Sequence, residues 1–305
     1  MSIPKDEVCI LIPSLNEEHT IGDVVQSFRA QGFSHIMVVD GHSTDRTVEL
    51  AQQAGAKVVV QPGKGKGDAL RYAFEHITQR YIVLIDGDGT YDPAEVNRLL
   101  DPLERGYDHV IGERFTLAQK GAFTRLNRIG NLLLNRLFAA MYGEDLVDIL
   151  SGYRAFTTSS ILELRLGEYG FGIEAEMAVE CVKKGQKMVV VPITYRPRPA
   201  KSHTKLNPLR DGSRIAMTMY RLAIGHNPMF YFGLMGFVLM LVGFGLGIYV
   251  VYDWVRGIEH VPLTILTVMF ILAGVQVLIF GLLGNLMVVL HRELISEFKR
   301  QRRGS

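Results

Sequence analysis

Two stretches near the end of the chain, Met229–Tyr252 and Val261–Leu290, contain no Asp, Glu, Lys or Arg. Each exceeds the roughly 20 apolar residues that a helix needs to cross a bilayer core. A helix buried in a soluble protein rarely lacks a polar face over such a length, so the pattern predicts two membrane spans. The short connection Asp253–His260 makes the pair a helical hairpin. Arg210, Arg214 and Arg221 precede the first span, and the Lys- and Arg-rich segment His291–Arg303 follows the second. The connecting loop holds one Arg and two acids. Positive charge accumulates on the cytoplasmic side of membrane proteins. Both termini and everything before the first span are therefore expected in the cytoplasm, at a plasma or endoplasmic-reticulum-type membrane. The N-terminal MSIPKDEVCILIPSLNEE has too short an apolar run, with acidic flanks, to read as a signal peptide.

The 305 residues leave room for one sizeable α/β domain ahead of the hairpin. A net charge of +2 makes no case for nucleic-acid binding, and none is expected. The hydrophobic fraction of 48% is ordinary as a whole, but its excess lies after Pro228. Cys9 and Cys181 sit in apolar contexts without metal-ligand spacing and read as buried thiols.

Before residue 200, short apolar runs alternate with amphipathic stretches. Strands are expected at Val8–Ile12, His35–Asp40, Lys57–Gln61 and Tyr81–Asp86. Helices are expected between and beyond them at Thr20–Gln31, Asp45–Gly55 and Gly67–Gln79. This order predicts a mostly parallel sheet with helices on both faces. Further on, Pro93–Leu103, Phe123–Tyr142 and Glu174–Lys184 read as helices, and His109–Ile111 and Lys187–Val191 as strands. Phe123–Tyr142 carries Leu126, Ile129, Leu133, Leu137 and Met141 on one face and Arg125, Arg128 and Arg136 elsewhere. It fits either a core-packed helix or a basic amphipathic helix in a membrane interface.

Ligands of such sheets bind beyond the carboxyl ends of the strands, and polar clusters fall there. Pro13-Ser14-Leu15-Asn16-Glu17-Glu18 follows the first strand and Asp40-Gly41-His42-Ser43-Thr44-Asp45 the second. A carboxylate at a strand end can accept hydrogen bonds from a nucleobase or ribose; helix capping by Thr20 and Asp45 is the plainer alternative. Lys64-Gly65-Lys66-Gly67-Asp68 opens a helix. Lysines, glycines and a helix N-terminus suit a phosphorylated ligand, though the Walker spacing is absent and a solvated basic turn is the alternative. Asp86-Gly87-Asp88-Gly89-Thr90 places two carboxylates one residue apart after an apolar strand. Such a pair can hold Mg²⁺ or Mn²⁺ against a diphosphate.

In order and spacing, PSLNE (13–17), DGHSTDRT (40–47), KGKGDAL (64–70) and DGDGTYD (86–92) resemble glycosyltransferase family 2. The resemblance continues through DILSGYR (148–154), FGIEAE (171–176), Arg198 and KSHTKL (201–206). That fuller set is similar to the polyprenyl- and dolichyl-phosphate sugar transferases. Residues 205–212 (KLNPLRDG) and the two spans further resemble archaeal enzymes that begin protein N-glycosylation. The resemblance implies a GT-A fold over residues 1–206, a juxtamembrane segment 207–227, two spans within 228–291 and a basic tail 292–305.

It also implies inverting transfer of a sugar from a nucleotide-sugar to dolichyl or polyprenyl phosphate. The donor would be UDP-glucose, UDP-N-acetylglucosamine or GDP-mannose. Pro13, Asn16, Glu17, Asp40 and Lys66 would hold the donor, and Asp86 and Asp88 a Mg²⁺ or Mn²⁺ ion. Asp88, Asp148 and Arg154 would act at the reacting centre. Ser151, Arg154, Arg198 and Lys205 would meet the acceptor or its phosphate. The chain departs from many relatives by Gly41 where a second Asp stands, and by Thr90 where Gln is frequent. Two other readings compete: a polysaccharide synthase of the same superfamily, which lacks support because no QxxRW-type motif is present, and a non-catalytic nucleotide-sugar-binding scaffold, which would not need Asp86, Asp88 and Arg154. The bilayer is an expected partner, and a homo-oligomer is left open.

Overall fold

A computed structural model describes residues 3–168, 170, 172–199, 208–224 and 228–303, with the backbone alone for 208–211, 222–224 and 291–303. Two compact units are formed: Met1–Ala139 with Gly143–Met219, and Ala140–Tyr142 with Tyr220–Ser305.

The first unit is built on a seven-stranded sheet of order β3-β2-β1-β4-β6-β5-β7. Its strands are β1 (Val8–Ser14), β2 (His35–Asp40), β3 (Lys57–Val60), β4 (Tyr81–Leu84), β5 (His109–Ala118), β6 (Arg154–Thr157) and β7 (Met188–Tyr195). Strands β3, β2, β1 and β4 are parallel, as is the β5–β7 pair. Strand β6 runs antiparallel between β4 and β5. The central strands are apolar on both faces because helices cover both. On one face Ile10, Ile12, Val38 and Val83 pack with Val25 and Phe28 of α1 (Ile21–Ala30) and Leu99 of α4 (Val96–Glu104). On the other, Leu11, Val39 and Leu84 pack with Leu70 and Phe74 of α3 (Lys66–His76) and Met177 of α7 (Ile173–Lys184). Each fully buried side chain of this size contributes about 1.5–3 kcal/mol. Helices α2 (Thr47–Gln53), α5 (Arg125–Tyr142), α6 (Thr158–Leu162) and α8 (Pro208–Ile224) complete the order up to the second unit.

Strand β5 runs well past the expected end at Ile111. A register shift lies between Glu113 and Leu117. The buried Glu113 carboxylate accepts hydrogen bonds from the Phe115 and Thr116 N–H groups, the latter at 2.8 Å. Such a bulge re-aims the side chains beside it, and Arg114 lies within it.

The second unit contains α9 (Pro228–Val255) and α10 (Val261–Arg303). Pro228–Val255 and Val261–Leu290 are long and apolar enough to cross a membrane. Their outward side chains include Phe244, Ile248 and Met287, all more than half exposed. The two helices approach closely at glycines. A Cβ on Gly236 would lie 2.7 Å from the Gly274 carbonyl oxygen, and one on Gly274 would lie 2.8 Å from that of Gly236. Among the three glycines prominent in the first span, Gly243 packs on Ile271 and Gly247 reaches Thr267, whereas Gly245 faces open space. The basic tail continues α10 as helix to Arg303.

Candidate active site

The polar loops meet at the carboxyl ends of β1, β2 and β4. Ser14 and Asp40 are neighbours in the parallel ladder. Asn16 adopts a left-handed φ of 49°, a region that asparagine tolerates better than most residues. Its N–H donates to Ser43 Oγ at 2.9 Å, and its Oδ1 accepts from the Thr44 N–H at 2.8 Å. Asn16 thus ties the first loop to the second, and its side-chain oxygen is committed to that task. The Glu17 N–H donates to Thr47 Oγ1 at 2.8 Å and strengthens the same tie. Asp45 accepts from the Thr47 N–H at 3.0 Å, just ahead of α2, whose N-cap position is Arg46 and not Asp45. Thr20 instead donates its hydroxyl to the Gly87 carbonyl at 2.6 Å, joining the first loop to the fourth.

Three buried side-chain atoms in this corner lack hydrogen-bond partners: Ser14 Oγ, Asp40 Oδ1 and Gln61 Oε1. Asp40 Oδ2, by contrast, accepts from the Ser43 N–H at 3.0 Å. An unmade buried hydrogen bond costs about 1–3 kcal/mol, so a cluster of three marks a place where a ligand supplies what the fold withholds. Gln61 accompanies the departure at Gly41. A Cβ on Gly41 would stand 3.4 Å from Gln61 Nε2, so the glutamine amide occupies the room beside a residue with no side chain.

The second focus is the Asp86/Asp88 pair. Lys66, in the first turn of α3, reaches Asp86 Oδ1 and Glu174 Oε1, both at 2.5 Å. Burial alone would lower the Lys66 ammonium, but Asp86 and Glu174 more than reverse this and hold it well above the usual lysine range. Asp88 Oδ1 accepts from Thr90 Oγ1 at 2.6 Å and from the Thr90 N–H at 3.0 Å. Its Oδ2 pairs with the Arg198 guanidinium, which also lies 3.7 Å from Glu17 Oε1. Thr90 therefore orients Asp88. Two glycines leave room around the pair: a Cβ on Gly87, between the carboxylates, would meet Ser14 Oγ at 2.5 Å, and one on Gly152, in the loop before β6, would meet Asp86 Oδ2 at 2.4 Å.

Among the described residues no group of three or more His, Cys, Asp or Glu is arranged to hold a metal by protein atoms alone. The donor set here is different. Two strand-end carboxylates each face a cationic side chain, and one or two carboxylates completed by phosphate oxygens is the arrangement that Mg²⁺ prefers. The residues fit a divalent cation bound together with a diphosphate.

The third focus is Asp148, fully buried. Its carboxylate receives Arg114 Nε and Nη2, each at 2.7 Å, and the Arg114 backbone N–H at 3.1 Å. The Arg114 guanidinium lies 5.5 Å from the Phe123 ring centroid and 5.3 Å from that of Tyr195. Burial would lower this guanidinium, and Asp148 holds it well above its usual value instead. Val147, just before Asp148, has φ 55°, a strained conformation for a β-branched residue. Asn135 of α5 restrains it by donating to the Val147 carbonyl and accepting from the Ile149 N–H at 3.0 Å.

Arg154 departs from the role expected of it. It is fully buried, and it donates to the carbonyls of Ser151 at 2.7 Å and Ile149 at 2.6 Å, with His109 Nε2 at 3.4 Å. It braces the Asp148–Tyr153 loop from beneath and presents no free edge to an acceptor. Ser151 is equally enclosed and accepts from the Tyr153 N–H at 3.3 Å. Beside Arg154, His109 Nδ1 lies 3.1 Å from Cys181 Sγ. Burial and then Arg154 push His109 well below the ordinary histidine value. Burial pushes the Cys181 thiol up to about 12. Lys205 and Phe171 lie outside the described residues.

Sequence reasoning missed Arg114 and Glu174 as site residues. Glu174 stood inside the FGIEAE segment but was given no role. Arg114 lay beyond the expected end of its strand, next to Glu113 in the run GERFT, and nothing local marked it.

The family model "Glycosyl transferase family 2" matches residues 9–164. The chain is 54% identical over 290 residues to glycosyltransferase AglJ of Haloferax volcanii, covering 94% of this chain and 96% of that protein. It is 33% identical over 223 residues to a dolichyl-phosphate hexose transferase of the same organism, covering 72% and 95%. Its fold resembles glucosyl-3-phosphoglycerate synthase from Mycobacterium tuberculosis, solved in complex with Mn²⁺ and UDP-glucose. The TM-score there is 0.57 at 23% identity, covering 71% of this chain and 77% of that one.

Proposed function

The chain belongs to glycosyltransferase family 2, and we propose that it transfers a hexose from a UDP-sugar to dolichyl phosphate at the cytoplasmic face of a membrane. The observation that carries this reading is the pairing of Asp86 with Lys66 and Asp88 with Arg198 at the strand ends. Those four side chains can together take up a metal-bound diphosphate, beside a corner with an unsatisfied Asp40 oxygen for the base. The lipid acceptor is supported by the related dolichyl-phosphate hexose transferase and by two helices apolar enough to span a bilayer. The basic flanks of those helices support the cytoplasmic orientation. In this reading residues 1–206 form the catalytic domain, 207–227 the link, 228–291 the anchor and 292–305 the tail.

A dolichyl phosphate is already anionic, so its oxygen can attack the anomeric carbon without a strong base. The bond from that carbon to the donor diphosphate breaks as the new one forms, and the configuration inverts. A Mg²⁺ or Mn²⁺ held by Asp86 and Asp88 would neutralise charge on the departing nucleoside diphosphate. Lys66 and Arg198 add fixed positive charge where negative charge grows. Asp148 keeps Arg114 aimed and ionised at the acceptor side. Asp40 orients the nucleoside, with Pro13 and Glu17 lining its approach.

Purified full-length protein in detergent, given Mn²⁺, a UDP-hexose and dolichyl phosphate, should yield a lipid carrying one sugar on one phosphate, inverted at the anomeric carbon. Transfer to sugar hydroxyls with no lipid phosphate consumed would overturn this in favour of a polysaccharide synthase. A retained configuration would overturn the single displacement.

A further inference from the structure

Two amide side chains lie within the apolar stretch Val261–Leu290: Asn285 near its end and Gln276 at its middle. Asn285 is half-buried, whereas Gln276 is exposed. The side of α10 that meets α9 is marked by glycines. A Cβ on Gly274 would lie 2.6 Å from the Met240 side chain, and one on Gly281 would lie 2.9 Å from that of Phe232. Each residue turns an α-helix by about 100°, so Gln276, two residues beyond Gly274, points to the opposite side, away from α9. The hydroxyls of Thr264 and Thr267 donate to the carbonyls of His260 and Leu263 one turn back and need nothing more. The Gln276 amide bonds to none of the described residues. At the middle of a bilayer no water replaces such a partner, and an intramembrane polar group finds one in another helix.

We propose that the outward face of α10 pairs with the same face of a second copy of this chain, with the two Gln276 amides bonded to each other across the pair. The chemistry of the amide selects this partner. Two copies of one chain enter a bilayer in the same direction, so the two-fold axis that relates them runs along the membrane normal. A residue nearest that axis then meets its own counterpart. Lysine or glutamate would repel itself there, but a glutamine carries both a carbonyl acceptor and N–H donors and is complementary to itself. The surrounding spacing agrees. Met269, Leu272, Gln276, Ile279 and Leu283 recur at steps of three, four, three and four residues, and all are exposed. That is the spacing of a coiled-coil seam, in which one polar residue fixes register and the number of helices. The apolar members alone would carry no argument, because lipid tails are as apolar as leucine. The inference rests on the two helices spanning a bilayer and not on the reaction.

The full chain is examined by sedimentation equilibrium in density-matched detergent micelles, as parent, Gln276→Leu and Gln276→Asn. The parent should dimerise. Gln276→Leu should raise the dimer dissociation constant at least about fivefold, while Gln276→Asn, which keeps a self-complementary amide, should stay within about twofold of the parent. A second readout locates the seam. Cys9 and Cys181 are buried, so a cysteine introduced on α10 is the one that forms a disulfide between copies when liposomes are oxidised. Leu272→Cys, on the seam, should cross-link several times faster than Leu282→Cys, which is equally exposed but turned about 100° aside. A parent that stays monomeric at every concentration overturns the pairing. An unchanged dissociation constant in Gln276→Leu, or a loss in Gln276→Asn as large as in Gln276→Leu, overturns the role of the amide. Equal cross-linking at 272 and 282 overturns the seam. Protein that alkaline carbonate strips from liposomes overturns the spans and the pairing together, and leaves sugar transfer to be judged by its own assay.

Discussion

The Asp148–Arg114 pair is the most heavily enclosed charge pair of the site, and its energetics can be worked from its surroundings. Asp148 has no exposure, and the Arg114 side chain has 10%. Arg114→Met would leave Asp148 with only the backbone N–H of residue 114 as a donor. Asp148→Asn would leave a guanidinium that still has two aromatic faces and slight access to water. Removing one partner of a buried pair typically costs about 3–5 kcal/mol, so Arg114→Met belongs at the upper end and Asp148→Asn at the lower. In a unit of this size each kcal/mol lowers the melting temperature by roughly 2–4 °C, which places the two losses in a window of about 6–20 °C. The double variant should melt no lower than Arg114→Met alone, because neither charge is then left unpaired. Calorimetry at one fixed scan rate is the suitable assay, since the single tryptophan, Trp254, lies in α9 and does not report on the sheet. Single variants that melt within about 2 °C of the parent, or losses that add in the double variant, would refute this account of the pair.

Three further outcomes are expected. Turnover should stop in excess EDTA and return with Mn²⁺, while Arg198→Gln, by removing the cation that faces Asp88, should tighten Mn²⁺ binding to nucleotide-free protein by about 2- to 5-fold in spin-resonance titration, the equivalent of up to ~1 kcal/mol; unchanged or weaker Mn²⁺ binding would argue against that competition. Gly152→Ala, whose Cβ would stand 2.4 Å from Asp86 Oδ2, should displace that carboxylate and cost on the order of 10²-fold in turnover with a melting shift of only a few degrees; near-parental turnover would show that Asp86 has room to move. His109 is held neutral in the fold by burial and by Arg154, whereas the unfolded chain takes up a proton below about pH 6.5, so stability should fall by about 1.4 kcal/mol per pH unit below that value; His109→Gln should lose that slope in denaturant titrations, and an unchanged slope would assign it to other groups.

The parts of this fold that were legible in the sequence are those governed by local pattern. Strands β1, β2 and β4 announce themselves as apolar runs because both their faces are covered, and the polar residues that end them are the ones a parallel sheet exposes to ligands. Asp40, Lys66, Asp86 and Asp88 were singled out in this way. What escaped depended on contacts between distant residues. Strand β6 is four residues long, and nothing local states that it runs antiparallel between β4 and β5. Strand β5 hides its length behind the Glu113 bulge, and Arg114 with it. The family resemblance assigned Arg154 to the acceptor, yet its donors go to two carbonyls of its own loop and to His109. Burial of that kind is a tertiary property, and no window of sequence around Arg154 contains it.

The distribution of charge explains why such burial is useful here. Among the described residues, Glu17, Asp86, Asp88 and Glu174 pair with Lys66 and Arg198, so four carboxylates share two cations in this part of the site. That excess suits a divalent cation and disfavours a bare diphosphate arriving without one. At Asp148 the balance is different: one carboxylate meets one guanidinium in a bidentate contact with nothing left over. Arg154 and Asn135 then fix the loop that carries the carboxylate, from two directions. A site that must accept a metal and release a diphosphate benefits from side chains able to exchange partners, as Lys66 and Arg198 can. A site that must hold one anionic oxygen in line with a breaking bond benefits from a group that cannot move. The first kind of residue sits at a helix start (Lys66) and in a proline-flanked segment beyond the last strand (Arg198), and the second in the core behind a strained valine, and that difference in enclosure is what the two halves of this sheet edge provide.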